Sequence, residues 1–162
     1  MINIDEIKKA LNKDDVSYFE GLDPKDVNAI IQFNRLEDPS PILIYAIRKN
    51  AKKIFDKLIE KKADVNFKSK FNCTPLLEAI SCKRIYYIKK LIDNGADIEL
   101  IGGKATTWPL LDAIINGNIE IIEILLQKAE KKYIQWGIEN IKTMKIKNKK
   151  EIEKVLNHYL GK

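Results

Sequence analysis

The stretch Thr74-Pro75-Leu76-Leu77-Glu78-Ala79-Ile80 has two near copies, Pro41-Ile42-Leu43-Ile44-Tyr45-Ala46-Ile47 and Trp108-Pro109-Leu110-Leu111-Asp112-Ala113-Ile114. Their alanines, Ala46, Ala79 and Ala113, stand 33 and 34 residues apart. The pairs Leu58-Ile59, Leu91-Ile92 and Leu125-Leu126 keep the same two intervals, and Ala63-Asp64-Val65-Asn66 returns 33 residues later as Ala96-Asp97-Ile98-Glu99. Three anchors in one register define an internal repeat. A period of this length belongs to stacked supersecondary units and not to one globular core.

Each unit reads as two short antiparallel helices and a connecting hairpin. In the best-filled copy Thr74 is placed to N-cap a helix, and Pro75 takes the first helical position, where its missing N–H costs nothing. Glu78 falls in the first two turns, where the helix dipole favours a carboxylate. The helix is expected over about Pro75 to Cys82, with Leu76, Ala79 and Ile80 on its apolar stripe. A second helix is expected over about Ile85 to Asp93, with Ile88, Leu91 and Ile92 on one face and Asn94-Gly95 as a left-handed stop. Helices this short cannot bury an apolar face alone, so neighbouring units must stack.

Thr-Pro-Leu-x-x-Ala at this period, a second helix ending in Leu-Ile or Leu-Leu, and a following Gly-Ala-Asp resemble the ankyrin repeat. The resemblance implies an all-α repeat solenoid of stacked helix-turn-helix units joined by β-hairpin loops. It implies a single domain over residues 1–162, with repeats at 40–66, 74–99 and 107–127, an N-terminal cap at 1–39 and a C-terminal cap at 128–162. The first repeat departs by an early Pro41 and by Asn50 where the family usually has Gly; one extra residue reshapes the hairpin from Ile101 to Thr107. In the N-terminal cap, Ile4 to Leu11 and Asp14 to Glu20 read as a helix pair, with a loop or short helix through Ala29 to Asp38. In the C-terminal cap, residues 131–144 supply a helix with Tyr133, Trp136 and Ile141 facing the stack, and Asn148 to Leu160 echoes Asn116 to Leu126. Trp108, in the place of the usual Thr cap, is expected to pack in the core or on the hairpin.

Composition bounds the function. The chain has 162 residues, 45% hydrophobic and 32% charged, which excludes a disordered tail, and its two cysteines are too few for a disulfide scaffold. No apolar run approaches the roughly 20 residues of a membrane span, and no basic leader opens the chain, so a cytoplasmic protein with free thiols and no membrane is expected. Residues 1–38 carry 5 basic and 9 acidic side chains, and residues 128–162 carry 10 and 4, so a net charge of +6 overall conceals a polarised molecule. Lys, Ile and Asn are all abundant and share A/T-rich codons, which weakens the basic excess as a sign of nucleic-acid binding.

Candidate chemistry is sparse. His158 is the only histidine and lies in a Lys-rich final helix; Cys73 and Cys82 have no base placed beside them by the repeat geometry. Gly102-Gly103-Lys104 lacks the earlier Gly and the leading strand of a phosphate loop. No enzyme, cofactor or metal is expected.

The resemblance implies partner binding at the hairpin tips and on the exposed side of the first helices. Carried over by position, this gives Lys68, Lys70, Phe71 and Cys73 in one hairpin, Ile101 and Lys104 in the next, and the helix-end pairs Arg48 and Lys49, Ser81 and Cys82, and Ile115 and Asn116. The groove so formed is expected to be mixed basic and apolar. The expected partner is a protein with acidic patches, bound by a chain that is monomeric when free and acts as an inhibitor or neutraliser. The alternative is nucleic-acid or anionic-surface binding by Lys142, Lys145, Lys147, Lys149 and Lys150. Only three arginines and the lack of a reader motif stand against nucleic acid.

Overall fold

The computed structural model describes residues 2–103 and 106–161. Its helices follow one another in pairs: α1 (Ile4–Lys13) and α2 (Ser17–Glu20), α3 (Ile42–Lys49) and α4 (Lys52–Glu60), α5 (Pro75–Ser81) and α6 (Ile85–Asp93), α7 (Pro109–Ile115) and α8 (Ile119–Leu126), α9 (Lys131–Ile141) and α10 (Lys149–Leu160). The first helices form one row, α1 against α3, α3 against α5, α5 against α7 and α7 against α9. The second helices form the other, with α2 on α4, α6 on α8 and α8 on α10. This is an all-α repeat solenoid.

Local signals set the helix ends. The Thr74 hydroxyl accepts from the Leu77 N–H at 3.1 Å, with Pro75 opening α5 as expected. Asn118 caps α8 in the same way through Ile121 at 3.2 Å. Gly95 stands at φ 85°, and Asn50, which replaces the usual glycine after α3, takes φ 58°. Asparagine tolerates that left-handed conformation better than most side chains.

Several boundaries differ from the sequence expectation: α1 runs on to Lys13 instead of Leu11, α9 stops at Ile141 instead of reaching residue 144, and three further segments depart too. Helix α5 ends at Ser81, leaving Cys82 as its C-cap. Helix α2 is a single turn that starts at Ser17, because Asp14 is left-handed (φ 52°) and its carboxylate serves elsewhere. It accepts from the N–H groups of Lys53 at 3.1 Å and Ile54 at 3.0 Å, capping α4, which has no side-chain cap of its own. The segment from Ala29 to Asp38 is neither plain loop nor helix: β1 (Ile30–Ile31) pairs antiparallel with β2 (Ser40–Pro41), Ile30 opposite Pro41.

The core runs along the stack between the rows. Ala46, Ala79 and Ala113 are all fully buried, as the close approach of helices requires. Helix α3 is buried all round from Ile42 to Ile47, since it lies between α1 and α5 and over α4. Tyr87, polar by name and absent from the expected stripe, is fully buried with its ring edge-on to Phe55 at 4.8 Å. Its hydroxyl reaches the Asn50 side chain at 3.2 Å, which satisfies the polar tip of a buried aromatic. At the C-terminal end Ile141 is buried, while Tyr133 and Trp136 are half-buried against Trp108, the two tryptophan rings 3.5 Å apart. Gly137 lets α9 close on α7, since a Cβ there would stand 3.1 Å from Ile114.

Polar ties repeat from unit to unit. The Arg84 guanidinium donates to the carbonyls of Ile47 at 2.6 Å and Arg48 at 3.2 Å, closing the C-terminus of α3. Asn28 accepts from the Asp64 N–H and Asn66 from the Asp97 N–H, both at 2.8 Å. Among the described residues no helix is long and apolar enough to cross a membrane.

Candidate partner-binding groove

The hairpin tips are stitched to one another before any groove exists. Asp38 accepts from the Phe71 N–H at 3.1 Å through one carboxylate oxygen and from the Ser69 hydroxyl through the other. Ser69 is buried, and its hydroxyl in turn accepts from the Cys73 N–H at 3.0 Å. The next tip joins through the Gly103 N–H, which donates to the Asn72 carbonyl at 2.8 Å. Gly102 and Thr107 exchange backbone bonds at 2.9 and 3.0 Å to close that hairpin. The tips are therefore held by the Asp38 and Ser69 side chains together with backbone bonds, and Phe71, half-exposed, is presented on a fixed rim.

Between these tips and helices α3, α5 and α7 lies a groove of about 480 Å³. Arg48, from the end of α3, donates to Glu78 on α5 at 2.9 Å while its guanidinium lies 5.2 Å from the centre of the Tyr45 ring. Desolvation works against the Arg48 charge, but Glu78 more than offsets it and holds the guanidinium firmly protonated. Glu78 also faces two thiols, Cys73 at 3.7 Å from one oxygen and Cys82 at 3.6 Å from the other. Burial, and then the Glu78 charge, pushes Cys73 up to about 12 and Cys82 upward as well. Both thiols are thus protonated near neutrality and poor nucleophiles.

The wall carries more negative charge than positive. Glu37, Asp38, Glu78 and Asp112 line the groove against the single Arg48 among the described residues. Burial lifts Asp112 above the usual carboxylate range. One oxygen of Glu37 is shielded from solvent with no hydrogen-bond donor among the described residues. Burial, with Glu37 next, pushes Tyr45 up to about 12, and its hydroxyl donates to the Asp38 carbonyl at 3.3 Å. The groove expected to be mixed basic and apolar is instead anionic and apolar. The reason is positional: Glu78 and Asp112 immediately precede Ala79 and Ala113 and line the groove, while the equivalent Tyr45 of α3 is buried outside the lining and Glu37 and Asp38 enter from the first hairpin.

Of the residues singled out from sequence, Arg48, Phe71, Cys73 and Ser81 line this groove. Cys82 touches it only through Glu78. Lys49 and Lys70 are exposed outside the lining, and Lys68 reaches across to the Ile101 carbonyl at 3.1 Å, a hairpin tie. Ile101 and Ile115 are half-exposed away from the lining, and Asn116 donates to the Asp112 carbonyl at 2.9 Å at its own helix end. Lys104 lies outside the described residues. Sequence reasoning missed Glu37, Asp38, Glu78 and Asp112 as groove residues. For Glu78 and Asp112 the signal was available, as the residue before the repeated alanine.

Two comparisons bear on this architecture. A family model described as ankyrin repeats (3 copies) matches residues 18–101 and 43–135. Over 60 residues the chain is 43% identical to the ankyrin repeat protein FPV233 of fowlpox virus (strain NVSL), a match that covers 36% of this chain and 12% of the viral protein. The repeat model spans well over half of the residues, and it coincides with the three units whose helices, hairpins and buried alanines are described above: the chain belongs to the ankyrin repeat family.

Proposed function

We propose that this chain is a non-enzymatic adaptor that binds a protein partner through its hairpin tips and the groove beside the first helices, and that it acts by occupying that partner, as an inhibitor or neutraliser. Ankyrin repeats are generally protein-interaction modules. The single observation that carries the reading is Phe71: a large apolar side chain, 51% exposed, on a tip fixed by Asp38 and Ser69 at the mouth of a groove. A rigid apolar anchor loses little entropy on docking, which is where binding energy concentrates. The protonated thiols and the exposed His158 support the non-enzymatic half of the proposal.

In this reading the helix pairs of residues 1–39 and 128–162 cap the stack, and the chain works as a monomer in the cytoplasm. The acidic partner suggested by the lysine count draws no support from the groove, because Lys49, Lys68 and Lys70 stand outside its lining. Affinity capture with the full chain, identified by mass spectrometry and repeated with Phe71→Ser, tests the proposal. A partner held by the native chain and lost from the variant is expected; equal capture by both overturns the site.

A second reading keeps the Lys-rich loop between α9 and α10. Lys142, Lys145 and Lys147 in that loop, and Lys150 in the first turn of α10, are all exposed, with no ion pair to a carboxylate among the described residues. Phosphate contacts would make such binding steeply salt-dependent. A gel-shift titration at low and moderate salt checks it, and no complex at micromolar protein removes it.

A further inference from the structure

Two large apolar side chains stand on consecutive hairpin tips. Leu36 is 98% exposed, and Phe71 is 51% exposed. Neither position is a loose loop. Asn34 accepts from the N–H groups of Leu36 at 2.9 Å and Glu37 at 3.1 Å, which fixes the first tip; Asp38 then takes the Phe71 N–H, which fixes the second against it. A leucine held almost wholly in water contributes nothing to the core, and with the half-exposed Phe71 on the next tip, tied to the first through Asp38 and through the Lys70 N–H on the Pro39 carbonyl, it marks a contact surface.

Behind this rim the floor is anionic. Glu37 and Asp38 directly follow Leu36 in the chain, and Asp112 from α7 lines the same groove. Arg48, the one cation of the lining among the described residues, is already paired with Glu78. Three carboxylates therefore face the cavity with no ion pair among the described residues. In a groove partly screened from water such a field favours an incoming ammonium or guanidinium and rejects a carboxylate. Residues 1–38, which supply Glu37 and Asp38, carry 5 basic and 9 acidic side chains, against 14 and 10 in residues 39–127 and 10 and 4 in residues 128–162, so a basic ligand is repelled most from the C-terminal end and drawn to the acidic N-terminal tip.

Building on the interaction role proposed above, we infer that the groove takes a basic amphipathic segment of a protein partner, whose apolar side chains rest on Leu36 and Phe71 while a lysine or arginine enters toward Glu37, Asp38 and Asp112. The apolar rim supplies area and the carboxylates supply sign. The match requires both classes of side chain in one short segment, so a purely basic polymer and a purely apolar helix both fall short.

Selection of a displayed random peptide library on the immobilised full chain, followed by fluorescence anisotropy of the enriched peptides, tests this. The enriched peptides are expected to combine net positive charge with bulky apolar residues and to weaken with added salt. Their affinity is expected to fall about tenfold or more both on Leu36→Ser/Phe71→Ser and on Glu37→Gln/Asp112→Asn, with the melting temperature of each variant held within a few degrees of the native chain. Enriched peptides that are acidic, yet still lose affinity in the Leu36→Ser/Phe71→Ser variant, overturn the basic chemistry and leave the groove as the docking site. Peptides indifferent to all four substitutions, or no enrichment at all, overturn both the chemistry and the docking site.

Discussion

Arg48 Nη2 lies 2.9 Å from Glu78 Oε2, and this pair joins the first helix of one repeat to the first helix of the next. Both side chains are largely shielded, 24% and 14% exposed, so the pair is worth more than a surface ion pair. Removing one partner leaves the other charge half-buried. Arg48→Ala is expected to cost about 1–3 kcal/mol in chemical denaturation, because it strands Glu78 beside two protonated thiols. A double-mutant cycle with Glu78→Gln should show positive coupling, with the second substitution costing less once the first is made.

The stack is also held by caps that reach across units. Asp14 caps α4 from the preceding pair, and Arg84 closes α3 from the following one. Asp14→Ala should lower stability by about 1 kcal/mol, the usual worth of an N-cap, although Asp14 belongs to no part of the helix it caps. Hydrogen exchange should localise the loss to the first turn of α4.

Gly102 tests the stitching of the tips. A Cβ there would overlap the Asn72 carbonyl oxygen and press on Leu77 at 3.1 Å. Since the obstacle is backbone, it cannot swing aside. Gly102→Ala is expected to cost about 1–3 kcal/mol and to loosen the tip-to-tip bond from Gly103 to Asn72, measured as a lower melting temperature with faster amide exchange at Gly103.

Alkaline pH should unfold the chain from its phenols and one thiol. Burial is the largest cause that pushes Tyr45, Tyr86, Tyr87 and Cys73 up to about 12, from ordinary values of 10.0 for tyrosine and 9.0 for cysteine. Between those values the folded state keeps protons that the unfolded state has released. Stability from these groups is therefore full below pH 9 and is lost as pH rises toward 12. Melting curves should show little change from these groups below pH 9 and a progressive fall above it. Tyr86→Phe, which removes the phenol bound to Asp56 at 2.5 Å, should make that fall shallower.

How much of this was legible depends on how local each cause is. Helix α6 matches its expected span, Ile85 to Asp93, because apolar spacing and an Asn-Gly stop act within the helix itself. The Thr74 cap and Pro75 start were readable for the same reason. Asp14 was not, since its partners lie 39 and 40 residues away and only the stack brings them together. The short ladder of Ile30 and Ile31 with Ser40 and Pro41 left too brief an alternation to announce a strand. Glu78 was read as a helix-dipole residue because one helix was considered at a time. Its meaning as a groove carboxylate appears only when Glu78 and Asp112 are set in line across two repeats. The lysines, by contrast, were conspicuous in sequence through sheer number, and the fold turns most of them away from the groove.

The central claim is that the tips and the groove beside α3, α5 and α7 are the docking surface. Hydrogen–deuterium exchange of the full chain, free and bound to the captured partner, tests it most directly. Protection is predicted at Leu36 to Asp38, Ser69 to Cys73 and the groove-facing ends of α3, α5 and α7. Protection confined to the second helices α4, α6 and α8, or to Lys142 through Lys150, would contradict it.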